Sequence, residues 1–222
     1  MTTGLDAPNA LAFDGSGDLW VSNFSSSSVA KFLPGGSSAS GSPFTNGFLS
    51  VPTSVAVDVN NNVWLSSSAG GTLVELNNSG GATGSFTDGL LIAPGSISTD
   101  TTHSRVWAAA TGINAIVALT SSGGAVTGEP YSTGVSMPLS IALDGAGTIW
   151  TVSDITTGTV AGFTYAGAAV TPSTGLGSLS QPANLAVDGS GDLWVTPDGD
   201  NSVTEFVGLA APVVTPLVRS TR

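Results

Sequence analysis

The sequence predicts an all-β fold assembled from five copies of one four-stranded antiparallel unit. Three observations point there. The five tryptophans, Trp20, Trp64, Trp107, Trp150 and Trp194, are spaced by 44, 43, 43 and 44 residues. An aspartate precedes each, at Asp14, Asp58, Asp100, Asp144 and Asp188, and a proline lies six residues before each aspartate, at Pro8, Pro52, Pro94, Pro138 and Pro182. Between these markers short β-branched runs alternate with clusters of Gly, Asn, Asp and Ser, and no window keeps apolar residues at the i, i+3, i+4, i+7 spacing of a helix.

The second repeat shows the elements in order. "SVAVD" (Ser54 to Asp58) is a strand, "VNNN" a turn, "VWLSS" (Val63 to Ser67) a strand, "SAGG" a turn, "TLVEL" (Thr72 to Leu76) a strand, and "TGSFT" (Thr83 to Thr87) a weaker fourth strand. The first strand is almost wholly apolar, which suits a strand covered on both faces. Later strands carry Thr, Ser, Lys31, Glu75 and Glu205, so polarity is expected to rise outward. The repeats fall at approximately 4–46, 47–88, 89–133, 134–174 and 175–218 of a single domain over 1–222. Four-stranded units of roughly 40 to 45 residues, each unable to bury its own faces, stack around a channel as the blades of a β-propeller.

The blade count follows from the ends of the repeat. "VTP" at Val170 to Pro172 recurs at Val214 to Pro216, which gives the fifth unit its own fourth strand, and "TTG" at Thr2 to Gly4 supplies the step that comes next. Five blades closing on one another are favoured. The alternative is a fragment of a six-bladed or larger propeller, whose open ring would leave two blade faces unprotected.

Composition narrows the function classes. Only 9% of the 222 residues are charged, against about 25% in an average domain, while 41% are hydrophobic and 30 are glycine, a mixture rich in turns and able to fill a core. The net charge of -11 sets 15 acidic residues against Lys31, Arg105, Arg219 and Arg222, so neither nucleic acid nor an anionic membrane is an expected partner. No cysteine is present, which excludes disulfides and thiolate metal sites. The apolar stretch Val207 to Val218 is too short and Pro-rich for membrane insertion, and "MTTGLDAP" lacks the regions of a signal peptide. A Ser/Thr/Asn/Gly-rich surface with few lysines fits an extracytoplasmic or secreted bacterial setting.

The repeated aspartates invite a calcium hypothesis, but each ends a strand and opens a Gly/Asn turn, where the side chain accepts hydrogen bonds from nearby amides. The tryptophans read as packing between blades. Breaks in the repeat are more informative. "PDGDNS" places Asp198, Asp200 and Asn201 like the opening of an oxygen-ligand calcium loop, without the bidentate Glu that would complete it. The third repeat has a turn one residue longer, "DTTHSRVW", with the only histidine, His103, beside Arg105; this pair is a candidate anion site or general base, or a plain exposed turn. No G-x-S-x-G elbow occurs. Residues following each proline, namely Asn9, Thr53, Ser54, Ser96, Ser140 and Asn184, are expected to ring one mouth of the channel, where neutral hydroxyls and amides suit a small polar ligand, a glycan or a peptide end.

"PTSVAVDVNNNVWLS" and "PLSIALDGAGTIWTVS" resemble the NHL repeat and the related virginiamycin B lyase-like propellers, and the resemblance runs through five units. The sequence departs from the NHL pattern where Gly usually stands four residues before the Asp: Ala10, Ser54, Ser96, Ser140 and Asn184 occupy that position. The resemblance implies a propeller fold. For virginiamycin B lyases it implies a metal with paired His and Glu residues on neighbouring blades, which one His and the three Glu residues Glu75, Glu129 and Glu205 do not populate. For gluconolactonase-like propellers it implies a divalent cation held by Glu, Asn and Asp at inner strand ends, a position that Asn184 loosely fits.

The expected function is a non-catalytic binding or scaffolding module without a cofactor, monomeric if the ring closes, with an unidentified protein, a glycan or a small polar molecule as partner. The alternative is a lyase or lactonase-type enzyme with a divalent cation such as calcium or magnesium. A duplicated array with no selected function is the third reading.

Overall fold

Each repeat becomes one antiparallel sheet in the computed structural model, which describes residues 4–213. The first sheet is β1 (Pro8–Phe13), β2 (Leu19–Asn23), β3 (Ser28–Phe32) and β4 (Phe44–Thr45). The second is β5 (Pro52–Val57), β6 (Val63–Ser67), β7 (Thr72–Leu76) and β8 (Ala82–Phe86), close to the four strands expected from its sequence. The third has three strands, β9 (Pro94–Asp100), β10 (Arg105–Ala110) and β11 (Ala115–Thr120), with an Ile116–Tyr131 bridge where a fourth would lie. The fourth is β12 (Pro138–Leu143), β13 (Ile149–Ser153), β14 (Gly158–Phe163) and β15 (Leu176–Leu179); the fifth is β16 (Pro182–Val187), β17 (Leu193–Pro197) and β18 (Thr204–Phe206). The segment Val214 to Pro216 lies outside the described residues. The one helical turn among the described residues is a 3-10 turn at Thr111–Ile113.

The first strands pack in the order β1, β5, β9, β12, β16 around the axis. At four of the five crossings into them, the residue before the proline is left-handed and its carbonyl accepts the amide that follows the sheet's second strand: Ala7 to Phe24, Val51 to Ser68, Met137 to Asp154 and Gln181 to Asp198. Ala93, the fifth such residue, is also left-handed, with φ of 50°. The recurring proline thus follows a fixed bend that starts each sheet at the axis, and its own lack of an N–H costs nothing at a strand start.

Sheets meet face to face through the tryptophans. Trp20 packs with Val55, Val63 and Leu65 of the second sheet; Trp64 with Ile97 and Val106 of the third; Trp107 with Ile141 and Ile149 of the fourth; Trp150 with Leu185 and Leu193 of the fifth. Val55, Ile97, Ile141 and Leu185, each three positions after its sheet's first proline, are therefore the seats of the preceding sheets' indoles. Burial of that kind contributes about 25 cal/mol per Å² of apolar surface removed from water.

Two sequence expectations need correction. Polarity does not rise outward from a fully covered first strand: β2, β3, β6, β10, β11, β13 and β14 are the buried strands, while β1, β5, β9, β12 and β16 are partly open because they line the central cavity. Lys31 is not an outward polar residue either. It is buried, with Nζ 2.9 Å from Asp18 Oδ2 and 3.4 Å from Asp14 Oδ2, donating also to the Asn78 side chain and carbonyl and lying 4.8 Å from the Trp20 ring. A charge taken out of water persists only with such complete pairing.

Sequence economy favours a fifth sheet that closes on the first, yet the faces that closure would cover are open. Leu11 and Phe13 are 64% and 65% exposed and Trp194 is 37% exposed, whereas the other four tryptophans are buried. Neighbouring first strands pack closely at four junctions, and among the described residues no comparable packing joins β16 to β1.

Candidate ligand site at the channel mouth

The axial cavity has a volume of about 600 Å³ and takes wall residues from all five sheets. Asn9, Thr53, Ser54, Ser96 and Asn184, expected at this mouth, line it together with Ser68, Thr111 and Asp198. Ser140 is buried and does not line it; its neighbour Leu139 does.

Most of these polar groups are already committed. The Ser54 hydroxyl accepts the Ile97 amide at 3.2 Å, Ser96 accepts Ile141 at 3.2 Å, and Ser140 accepts Leu185 at 3.3 Å. Each serine stands two residues after its proline and reaches the first strand of the next sheet, so the three form a ladder of rungs between sheets. The Thr53 hydroxyl donates to the Pro94 carbonyl at 3.0 Å, Thr111 to the Pro138 carbonyl at 2.8 Å, and the Asn9 amide to the Thr53 carbonyl at 3.0 Å. The position where the sequence departs from glycine is therefore structural at the three serines. Among the described residues, the Ser68, Asn184 and Asp198 side chains line the cavity without an intramolecular hydrogen bond. Ser68 carries no sequence signal for this position, and Asp198, read from sequence as part of a calcium loop, lines the cavity instead, because both follow the bend described above.

The repeated aspartates are clasps for the tryptophans. The indole N–H donates to the aspartate Oδ2 at 3.0 Å in Trp20–Asp14, 3.3 Å in Trp64–Asp58, 3.1 Å in Trp150–Asp144 and 3.0 Å in Trp194–Asp188. The Oδ1 atoms accept the turn amides, as with Ser16 and Asp18 on Asp14. Burial pushes the Asp14 carboxyl up, but hydrogen bonds from Trp20, Asn78 and the turn amides outweigh it and hold the pKa at about 2. Asp144 is lowered by the same balance, with the Ala211 amide of the fifth sheet as its leading donor. For Asp188 the Trp194 indole is the main cause of lowering.

His103, in the turn after β9, and Arg105, at the start of β10, do not line the cavity. The His103 ring stacks on Tyr165 of the fourth sheet with centroids 4.0 Å apart, and the Arg105 guanidinium donates to the Tyr165 carbonyl and lies 5.7 Å from the Trp107 and Tyr165 rings. The pair ties the third sheet to the fourth. Asp198, Asp200 and Asn201 are likewise separated: Asp198 lines the cavity, Asp200 accepts the Ser202 hydroxyl at 2.6 Å, and Asn201 holds a left-handed turn position. Among the described residues no three His, Cys, Asp or Glu side chains gather as a metal-holding group.

No protein-family model matches the chain, and no curated protein matches it. Solved structures do. A catalytically inactive variant of virginiamycin B lyase from Staphylococcus aureus, with quinupristin, superposes with a TM-score of 0.69 at 16% identity, covering 91% of this chain and 70% of that one. A gluconolactonase from Xanthomonas campestris gives 0.63 at 14%, covering 86% and 69%. A nidogen/laminin complex gives 0.68 at 18%, covering 91% and 76%. At these identities the likeness establishes the architecture: the chain is a β-propeller of the kind shared by virginiamycin B lyase and the gluconolactonases.

Proposed function

We propose that the protein is a non-catalytic binding module whose ligand is a small neutral polar molecule, a saccharide above all, held at the channel mouth. The observation that carries this is the 600 Å³ cavity walled mainly by hydroxyls and amides, with Asp198 as its one carboxylate and with the Asn184 amide and Ser68 hydroxyl lining it unpaired among the described residues. Hydroxyls and amides on a rigid wall, with the Asp198 carboxylate as a further acceptor, recognise hydroxyl-rich ligands. The lone histidine supports the same reading, since it lies away from the cavity, paired with Asp100. An extracytoplasmic setting, in which glycans are the abundant ligands, is part of the proposal.

Saturation-transfer NMR against a panel of neutral mono- and disaccharides tests it. Millimolar or tighter binding of one panel member, lost in Asn184→Ala, is the expected result; no saccharide bound by the intact protein would overturn it.

A second reading rests on one pair of residues. Asn184 and Asp198 bring an uncommitted amide and carboxylate to the same cavity, the start of an oxygen-donor set for a divalent cation. Calorimetric titration with calcium, magnesium and zinc separates the two readings. Micromolar binding abolished by Asp198→Asn would favour a metal-dependent lyase or lactonase-type enzyme.

A further inference from the structure

The two open faces are the two halves of a junction that the chain makes four times internally. One half is a tryptophan on the second strand, as at Trp20, Trp64, Trp107 and Trp150; the other is the pair of positions three and five residues after the next proline, Val55 and Val57 opposite Trp20, Leu185 and Val187 opposite Trp150. The fifth sheet presents Trp194, and the first presents Leu11 and Phe13, all exposed. The rung between sheets is divided in the same way. Ser54, Ser96 and Ser140 each accept an amide three residues after the next proline; Asn184 holds that acceptor position on the fifth sheet, and the Leu11 amide holds the donor position on the first.

We propose that these faces join copies of this chain head to tail, with Trp194 of one copy seated on Leu11 and Phe13 of the next and the Asn184 side chain accepting the Leu11 amide. The partner follows from continuity with the established sheet-to-sheet interface. Whatever covers Trp194 must present a first strand with apolar residues at those two positions, whatever covers Leu11 and Phe13 must present an indole, and a second copy carries both. Because the two patches differ, the contact is heterologous, and addition continues until a ring closes or a filament grows. Glu205 stands opposite Trp194 in register, as Glu75 stands opposite the buried Trp64 at an internal junction, so a glutamate at this place is compatible with a covered indole, and exposed apolar patches of this kind mark interaction sites.

Light scattering after size exclusion, over a hundredfold range of concentration, tests the proposal. The intact chain is expected to rise in mean mass from one chain to two or more, with acrylamide quenching of tryptophan fluorescence falling in step as Trp194 is covered. Trp194→Arg and Leu11→Asp, each checked for an unchanged circular dichroism spectrum, are each expected to stay monomeric. Mixed together they should give a one-to-one dimer and nothing larger, because each variant keeps the half that the other has lost. Leu11→Asp lies on an exposed position, so it reports even if Trp194→Arg fails to fold. A monomer at every concentration overturns the proposal, whether Trp194 stays quenchable or is shielded by closure within one chain. Assembly that survives both variants overturns it as well.

Discussion

His103 Nδ1 lies 2.8 Å from Asp100 Oδ2, the carboxylate oxygen that a tryptophan indole occupies in the other four repeats. The extra residue in the third turn brings the imidazole in, and the Trp107 indole N–H is left buried without a partner. Trp→Phe substitutions should expose the difference. Trp150→Phe gives up a hydrogen bond to a buried carboxylate, whereas Trp107→Phe gives up none, so Trp107→Phe is expected to cost about 1 to 2 kcal/mol less. Urea unfolding followed by far-ultraviolet circular dichroism measures both; equal losses would contradict the displaced clasp.

The same relationship makes His103 a structural residue. His103→Ala removes the bond to Asp100 and the stack on Tyr165, and a loss on the order of 1 kcal/mol is expected. Tyr165→Ala in the same background should then cost less than in the intact protein, which a double-mutant cycle reads directly.

Acid should weaken the junction of the first and second sheets. Folding lowers the Asp14 pKa from 3.8 to about 2, so its contribution is fully present above the unfolded value and is lost as pH falls from 3.8 toward 2. The shift corresponds to on the order of 2 kcal/mol. Asp14→Asn is expected to flatten the stability profile across that window, measured as denaturant midpoints between pH 5 and pH 2.

The opposite sign applies at Glu129. Burial pushes its carboxyl up, the amides of Ala118 and Val126 oppose that, and the nearby Asp88 carboxylate pushes it up further. Asp88 Oδ2 is itself buried without a partner. A raised folded pKa means stability is lost as pH rises beyond the ordinary carboxyl value of 4.5. Asp88→Asn replaces the like charge by a donor to Glu129, and a gain of about 1 kcal/mol at pH 7, shrinking toward pH 4, is expected from thermal melts.

The ladder of rungs has one missing step. Ala10 stands where Ser54, Ser96 and Ser140 each accept an amide of the next sheet, so nothing reaches the Val55 amide from the first sheet. Ala10→Ser should add that bond and raise stability by about 0.5 to 1 kcal/mol, while Ser96→Ala should lower it by a similar amount. A destabilising Ala10→Ser would show that the first junction is spaced differently from the rest.

The sequence by itself determined the architecture. Strand period, turn chemistry and the Pro-Asp-Trp spacing are local properties, written once per repeat, and five copies leave little freedom in how they are read. It also identified the aspartates as turn residues, because an Asp that ends a strand and opens a turn bonds to amides two to four residues away. Tertiary structure decided what depends on the next sheet. Ser54 and Ser96 line the cavity as expected, but their hydroxyls also bridge sheets, a contact hidden in the sequence because Ser54 and Ile97 are 43 residues apart. Lys31 looks exposed in a polar strand until Asn78, 47 residues on, closes over it. Whether Trp194 and Phe13 are core or surface is likewise set by what lies beside them, because a repeat specifies both faces of every sheet and only packing determines which are covered.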